Sequence, residues 1–468
     1  MPAELEKISI SDQFLEIAQS GDTKSLQDFL DDLNISDVAE LISEMPDYES
    51  QIICTLSIHR AVSTFKILDF LTQKRIIQEL PPLRTAQLLN TLPADDRTSF
   101  LEDLPSEVVK ELLRMLNPEE RKITLSLLGY PESSVGRLMT PEYIAVQKDW
   151  TIREVIRHIR TAGKDSETID VIYVVDDKGV FIDDIRIREI ILADPDKKVE
   201  DVIDNRYIAL HVDDDQEKAN QAFKMNNRVA LPVLDNNNVL LGIVTIDDVL
   251  WVASEEFSED IQKIGGTEAL DAPYLEISFF KLIKKRVGWL IILFLGEMFT
   301  ATAMAYFNDE INKATILAIF VPLIMSSGGN SGSQASTLII QAMAVGEVSL
   351  LDWWRVIRRE VMSGLVLGSI LGSIGFTRIF VWHILMEHGV IKNLYGEHWF
   401  LIALTVGVSL VGVVLWGTLT GSMLPIILKK LGADPAASSA PFVATLVDVT
   451  GLIIYFSVAV VIMRGVLL

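Results

Sequence analysis

A carboxylate inside a long apolar run is the residue most out of place in this chain. Asp448 sits in APFVATLVDVTGLIIYF, about ten residues into a hydrophobic stretch, so roughly 15 Å along a helix axis. A lone carboxylate in hydrocarbon is costly unless it is paired or lines water. Few basic residues lie at that level, so the chemistry it suggests is a hydrated cavity that holds cations. A second anomaly is SSGGNSGSQAST, residues 326–337, which interrupts a run from about Thr315 to Val345. Asn330, Gln334 and the serines can line water or bond to neighbours, while Gly328, Gly329 and Gly332 permit close helix approach. Pro322 is expected to free a backbone carbonyl within this span. Glu297 lies near mid-depth in an earlier apolar run, where it reads either as pore lining or as a hydrogen-bond partner of the polar stretch. Asp434, just before Pro435, reads either as a helix cap or as a carboxylate at an inner pore mouth.

The elements that must position these residues follow from how charge and apolarity divide the chain. Its 468 residues carry a net charge of −23. Residues 1–280 hold 54 Asp and Glu against 28 Lys and Arg, a net of −26; residues 281–468 hold 10 against 13, a net of +3. An acidic soluble part therefore precedes a membrane part. The acidic balance disfavours nucleic acid and favours cations. Five hydrophobic spans are expected, at roughly 286–307, 314–345, 361–386, 399–428 and 438–463, each long enough to cross a bilayer. Lys281, Lys284, Lys285 and Arg286 precede the first. Arg355, Arg358 and Arg359 separate the second and third, and Lys429 and Lys430 the fourth and fifth. That asymmetry places the N-terminus in the cytosol and the C-terminus outside a cytoplasmic membrane. The acidic start MPAELEKISISDQ reads as no signal peptide. The single Cys54 excludes an intrachain disulfide framework.

Residues 12–130 read as a stack of short helices. Leu80-Pro81, Leu92-Pro93 and Leu104-Pro105 recur every 12 residues, and Leu116-Asn117-Pro118 nearly continues the series. Each proline is expected in a first helical turn, where its missing N–H costs nothing. Beyond residue 135 the period changes. IDVIYVV, ALPVL and VLLGIVT read as buried strands with turns at DDKG and DNNN. Helical segments near 151–162 and 215–226 alternate with them. The order appears twice, at 138–194 and 201–257, and resembles a tandem CBS-domain pair. The first copy departs at FIDDIRIREI, where a strand glycine is usual. Thr245 and Asp248 have the T-x-x-D spacing that CBS domains use for a nucleotide ribose, so ATP is a candidate ligand. An acidic helix, residues 247–280, then leads towards the membrane.

PLIMSSGGNSGSQASTLIIQAMA and GADPAASSAPFVATLVDVTGLIIYF, together with that domain order, resemble the MgtE family of magnesium channels over nearly the whole chain. The resemblance implies a multidomain fold: an all-α superhelical N-domain (1–134), two α/β CBS domains (135–198 and 199–257), the connecting helix, and a membrane domain of five transmembrane helices (281–468). It implies a homodimer with one pore on the two-fold axis, in which Asp448 of each subunit holds a hydrated Mg²⁺ with help from the Ala444 carbonyl. Asn330, Gly329, Asp434 and Glu297 would line the path. It also implies that cytosolic Mg²⁺ bridges acidic faces and closes the pore. The candidates are Asp95, Asp96, Asp235, Asp247, Asp248, Glu255, Glu256, Glu259 and Asp260. Ala440 replaces an asparagine frequent in the family just before Pro441, so the inner lining is expected to differ.

Two other functions fit less of the chain. An ion-coupled carrier of Mg²⁺, Co²⁺ or Mn²⁺ would need a coupling site, for which Glu297 is the candidate. An intramembrane metalloenzyme would rest on His383, Glu387 and His388, whose spacing is neither HExxH nor HxxEH.

Overall fold

A computed structural model describes residues 9–164, 166–270, 274–275, 277–392 and 395–466. The chain divides into two compact units, one up to Glu255 and one from Glu256.

The first unit opens with short α-helices, from Ile10–Ser20 to Pro118–Leu127. Each is too short to be stable alone, and together they bury Phe14, Leu30, Leu41, Ile52, Phe65, Ile76 and Leu88 in one core. Pro81, Pro93 and Pro105 stand at the cap position, one residue before the first turn where they were expected, whereas Pro118 is in the first turn. The physical reason is the same at either position, because neither N–H has a partner within the helix. Arginines close the opposite ends. Arg60 donates to the carbonyls of Leu30 and Leu33, Arg84 to those of Ile53 and Leu56, Arg97 to those of Leu89 and Leu92, and Arg121 to those of Leu113 and Leu116. Arg97 is wholly buried and also donates to Thr124 and Glu120.

Two three-stranded sheets follow, β1 (Ala145–Gln147), β2 (Val171–Val175), β3 (Phe181–Arg186) and β4 (Leu210–His211), β5 (Ala230–Leu234), β6 (Leu240–Thr245). In each, the first strand is parallel and the third antiparallel to the middle one. Val174 faces Asp183 as Val233 faces Gly242, so Asp183 holds the position of the expected glycine. At Gly242 a Cβ would lie 2.7 Å from the Thr140 carbonyl oxygen. Asp183 is buried instead and accepts the N–H groups of Asp184, Asp204 and Asn205. A 19-residue helix, Ile246–Ile264, leaves the second sheet and crosses the boundary between the units.

Among the described residues, the second unit contains five helices long and apolar enough to cross a membrane. The α-helices run Phe279–Tyr306, Val321–Ala344, Trp353–Glu387, Trp399–Lys430 and Ala440–Met463. The second is preceded by a 3₁₀ segment, Thr315–Phe320, so Pro322 lies in the first turn of the α-helix. It marks the place within the span where 3₁₀ helix gives way to α-helix, a position in which the missing N–H costs little. Part of the polar stretch is explained by packing. A Cβ on Gly417 would sit 2.5 Å from the Gly328 oxygen, and one on Gly421 2.1 Å from the Gly332 oxygen. The second and fourth spans thus touch backbone to backbone. Ser333 and Ser336 donate to the Ala440 and Ser438 carbonyls at 2.9 and 2.8 Å, which ties the same helix to the start of the fifth.

Candidate cation sites

The fifth span positions Asp448 as its ninth residue, roughly 12 Å along the helix from its start, somewhat nearer that start than the sequence suggested. The side chain is half-buried. Among the described residues it has no hydrogen bond and no ion pair. Across from it on the second span is Gly329, where a Cβ would stand 3.4 Å from the Ala444 Cβ and 3.6 Å from Asp448 Oδ1. Asn330 is exposed and donates only to Ser326, one turn back, at 3.3 Å. Glu297 is exposed on the first span and acts electrostatically on Asp448 with the same sign of charge. That span meets the fifth at Gly296, where a Cβ would be 2.9 Å from the Thr445 methyl. A site built from oxygen donors with no internal cation suits a hard metal ion.

At the end of this unit nearer Ala440, Asp434 does two things. Its Oδ1 accepts the Ala436 N–H at 2.8 Å, and its Oδ2 pairs with Lys263 at 2.6 Å. Lys263 also pairs with Glu259. Burial, and then the charge of Asp434, raise Asp260 above the usual carboxylate range. Lys263 was not among the residues singled out from the sequence. A lone lysine in an acidic run gives no signal of which distant carboxylate it meets.

In the first unit a cavity of about 380 Å³ brings together Asp95, Asp96, Asp247, Asp248 and Glu255. Seven carboxylates line it against two cationic side chains, Lys66 and Arg137. Asp95 is 7% exposed and its Oδ1 has no hydrogen-bond partner. Burial, then Asp248 and Asp96, push Asp95 well above the usual range. Burial raises Asp248 to about 7 against the bond it accepts from Thr245, and burial raises Glu102 to about 7 against Arg137, which it meets at 2.6 Å. Among the described residues no three carboxylates converge into a ready-made metal cage. The orphaned Asp95 oxygen and the carboxylate surplus nonetheless fit a divalent cation bound partly through water. Asp235 is not in the cavity lining. It accepts the Asn237 and Val239 N–H groups at 2.8 Å and shapes the turn between β5 and β6. The Thr245 hydroxyl donates to Asp248 at 2.5 Å, so the two T-x-x-D side chains bond each other.

A family model described as a divalent cation transporter matches residues 321–458, the MgtE intracellular N domain matches 33–133, and CBS domains match 135–196 and 199–255. The chain is 37% identical over 465 residues to a magnesium transporter MgtE of Thermus thermophilus, covering 98% of this chain and 100% of that one. The chain belongs to the MgtE family. A MgtE of Bacillus subtilis is 26% identical, with 95% of each chain covered. The crystal structure of the cytosolic domain of the Mg²⁺ channel MgtE in complex with ATP superposes with a TM-score of 0.50 at 33% identity, covering 52% of this chain and 99% of that one. The soluble part of a magnesium transporter does so with a TM-score of 0.50 at 26% identity, covering 53% and 98%. MgtE membership makes the chain a transporter rather than an enzyme, which leaves no role for the metalloenzyme reading of His383, Glu387 and His388. His383 is instead stacked on Trp399 with ring centroids 4.4 Å apart. The MgtE fold expected from the sequence, a helical N-domain, a CBS pair and five apolar helices, is the fold observed.

Proposed function

We propose that this chain conducts Mg²⁺ across the cytoplasmic membrane at Asp448, and that Mg²⁺ on the cytosolic side closes the path. The observation that carries this reading is the Asp448 carboxylate, deep in an apolar helix and without a hydrogen bond or ion pair among the described residues. Mg²⁺ holds its water reluctantly and demands octahedral oxygen, so one carboxylate per chain plus retained water suits it. The Ala444 carbonyl, inside the helical ladder, would offer its second lone pair. Asp448, Asn330 and Glu297 all keep surface exposure in the single chain. Hydrocarbon is a poor neighbour for them, and a second copy across a two-fold axis would enclose them around water. The basic residues flanking the spans support a cytosolic N-terminus.

For closure, the acidic cavity of the first unit and the acidic helix Ile246–Ile264 are the sensor. Without divalent cations its carboxylates repel one another, and burial already holds Asp95, Asp96 and Asp248 above their usual range. Mg²⁺ would draw Asp95, Asp96, Asp247, Asp248 and Glu255 together, with Glu256, Glu259 and Asp260 further along the helix. Asp235 is engaged by its turn and is the weakest member of the set. ATP is a further proposed ligand of the CBS pair, supported by the ATP complex of the 33%-identical relative. Its ribose would take over the bond that now joins Thr245 to Asp248.

Bilayer recordings of the purified protein, with Mg²⁺ varied separately on each side, test the reading. Currents above any carrier turnover, suppressed by cytosolic Mg²⁺, are expected. Glu255→Gln/Glu259→Gln should stay active at high cytosolic Mg²⁺. Slow coupled flux would favour an ion-driven carrier of Mg²⁺, Co²⁺ or Mn²⁺ instead.

A further inference from the structure

Lys66, the last residue of the helix Ile58–Lys66, reaches into the acidic cavity from the helical domain. Its ammonium lies 3.3 Å from Asp96 and 4.0 Å from Asp247, so one cation bridges carboxylates of the helical domain and of the helix that follows β6. Glu167 and Asp248 are within its electrostatic reach. Asp95 lines the same space with a buried oxygen that no donor satisfies.

We propose that Lys66 is a tethered counter-cation that occupies part of the divalent-cation site, so that a divalent ion fills the site only by displacing it. Lys66 then sets the concentration at which the site fills. This rests on the reading that cytosolic Mg²⁺ binds in this cavity. The two cationic side chains of the lining are not equivalent. Arg137 is 12% exposed and bonded to Glu102, whereas Lys66 is 28% exposed on a flexible four-carbon stem. An ammonium so placed can swing into water, while the Arg137 guanidinium cannot leave without breaking its bonds to Glu102 and to the Tyr130 carbonyl. The contacts that hold Lys66 are those a divalent ion would need, since the ammonium pairs with both Asp96 and Asp247. Its removal takes the cation away from Asp96 and Asp247, and a doubly charged ion gains more from that field than a singly charged side chain did.

The test is calorimetric titration of the full-length protein in lipid nanodiscs with Mg²⁺, in an Asp448→Asn background that removes the membrane site. Lys66→Met and Lys66→Gln should bind Mg²⁺ about tenfold more tightly, and Lys66→Arg should stay within about twofold of the parent. The Mg²⁺ concentration that protects the cytosolic part from protease should fall in parallel. Unchanged or weaker binding in both neutral variants, with the parent's binding abolished by Asp96→Asn/Asp247→Asn, overturns the role of Lys66 and leaves the sensor intact. No binding in the parent overturns both.

Discussion

Gly329 on the second span sits against both the Ala444 methyl and the Asp448 carboxylate of the fifth. A Cβ at residue 329 would stand 3.6 Å from Asp448 Oδ1, an ordinary contact distance, and 3.4 Å from the Ala444 Cβ. Gly329→Ala should therefore be tolerated. Gly329→Leu should fill the space beside the carboxylate and cut Mg²⁺ flux into proteoliposomes at least tenfold without loss of folded protein. Equal flux in the two variants would remove this face of Asp448 from the ion path.

Gly421 makes a different prediction, because its constraint is backbone against backbone. A methyl there would meet the Gly332 oxygen at 2.1 Å, and no rotamer relieves that clash. Gly421→Ala is expected to separate the second and fourth spans and to lower the yield of monodisperse protein in detergent severalfold. Size-exclusion profiles alongside Gly329→Ala check it, since both add one methyl group.

Much of the architecture was legible because hydrophobic period and charge asymmetry act locally. The proline repeat, the strand runs and the five apolar stretches each follow from a short window. What was illegible depends on partners far apart in the chain. The glycines of SSGGNSGSQAST could be read as pore or as packing, and only the approach of Gly417 and Gly421 shows how much is packing. The change from 3₁₀ to α-helix at Pro322 was not legible because the two share one hydropathy signature. Of the acidic set, Asp95, Asp96, Asp247, Asp248 and Glu255 share a cavity, while Asp235 builds a turn that DNNN already advertised. Lys66 and Lys263 were missed because a basic residue carries no mark of the carboxylate it will meet.

Arg97 is the most consequential of the arginines that close the helical stack. It is wholly buried, with bonds to Leu89, Leu92, Thr124 and Glu120. Arg97→Met should cost about 3 kcal/mol, chiefly by orphaning the carbonyls and the Glu120 charge. Thermal unfolding followed by circular dichroism should show the transition of the first unit lowered by several degrees.

With a divalent cation bound in the cavity as proposed, protons and that cation compete for the same carboxylates. Burial lifts Asp248 and Glu102 to about 7, above the values they would have in an unfolded chain. The folded form thus holds protons that the unfolded form has already released. Its stability should rise as pH falls from 8 to 6 and decline as pH rises through 7, the reverse of the behaviour of a carboxylate whose pKa folding lowers. In chelator-containing buffer the transition of the first unit should move up by a few degrees over that interval. Saturating Mg²⁺ should flatten the dependence, because a bound ion takes the place of the protons. A transition that falls between pH 8 and pH 6 would contradict the placement of these groups.

Conduction as proposed depends on the Asp448 carboxylate, and Asp448→Asn tests that most directly because the amide keeps the shape and removes the charge. Mg²⁺ entry into proteoliposomes, followed by a trapped fluorescent indicator, should drop to the level of empty vesicles, while the elution volume and the melting transition stay those of the parent. Mg²⁺ entry at the parental rate through a well-folded Asp448→Asn protein would show that no carboxylate at this position carries the ion.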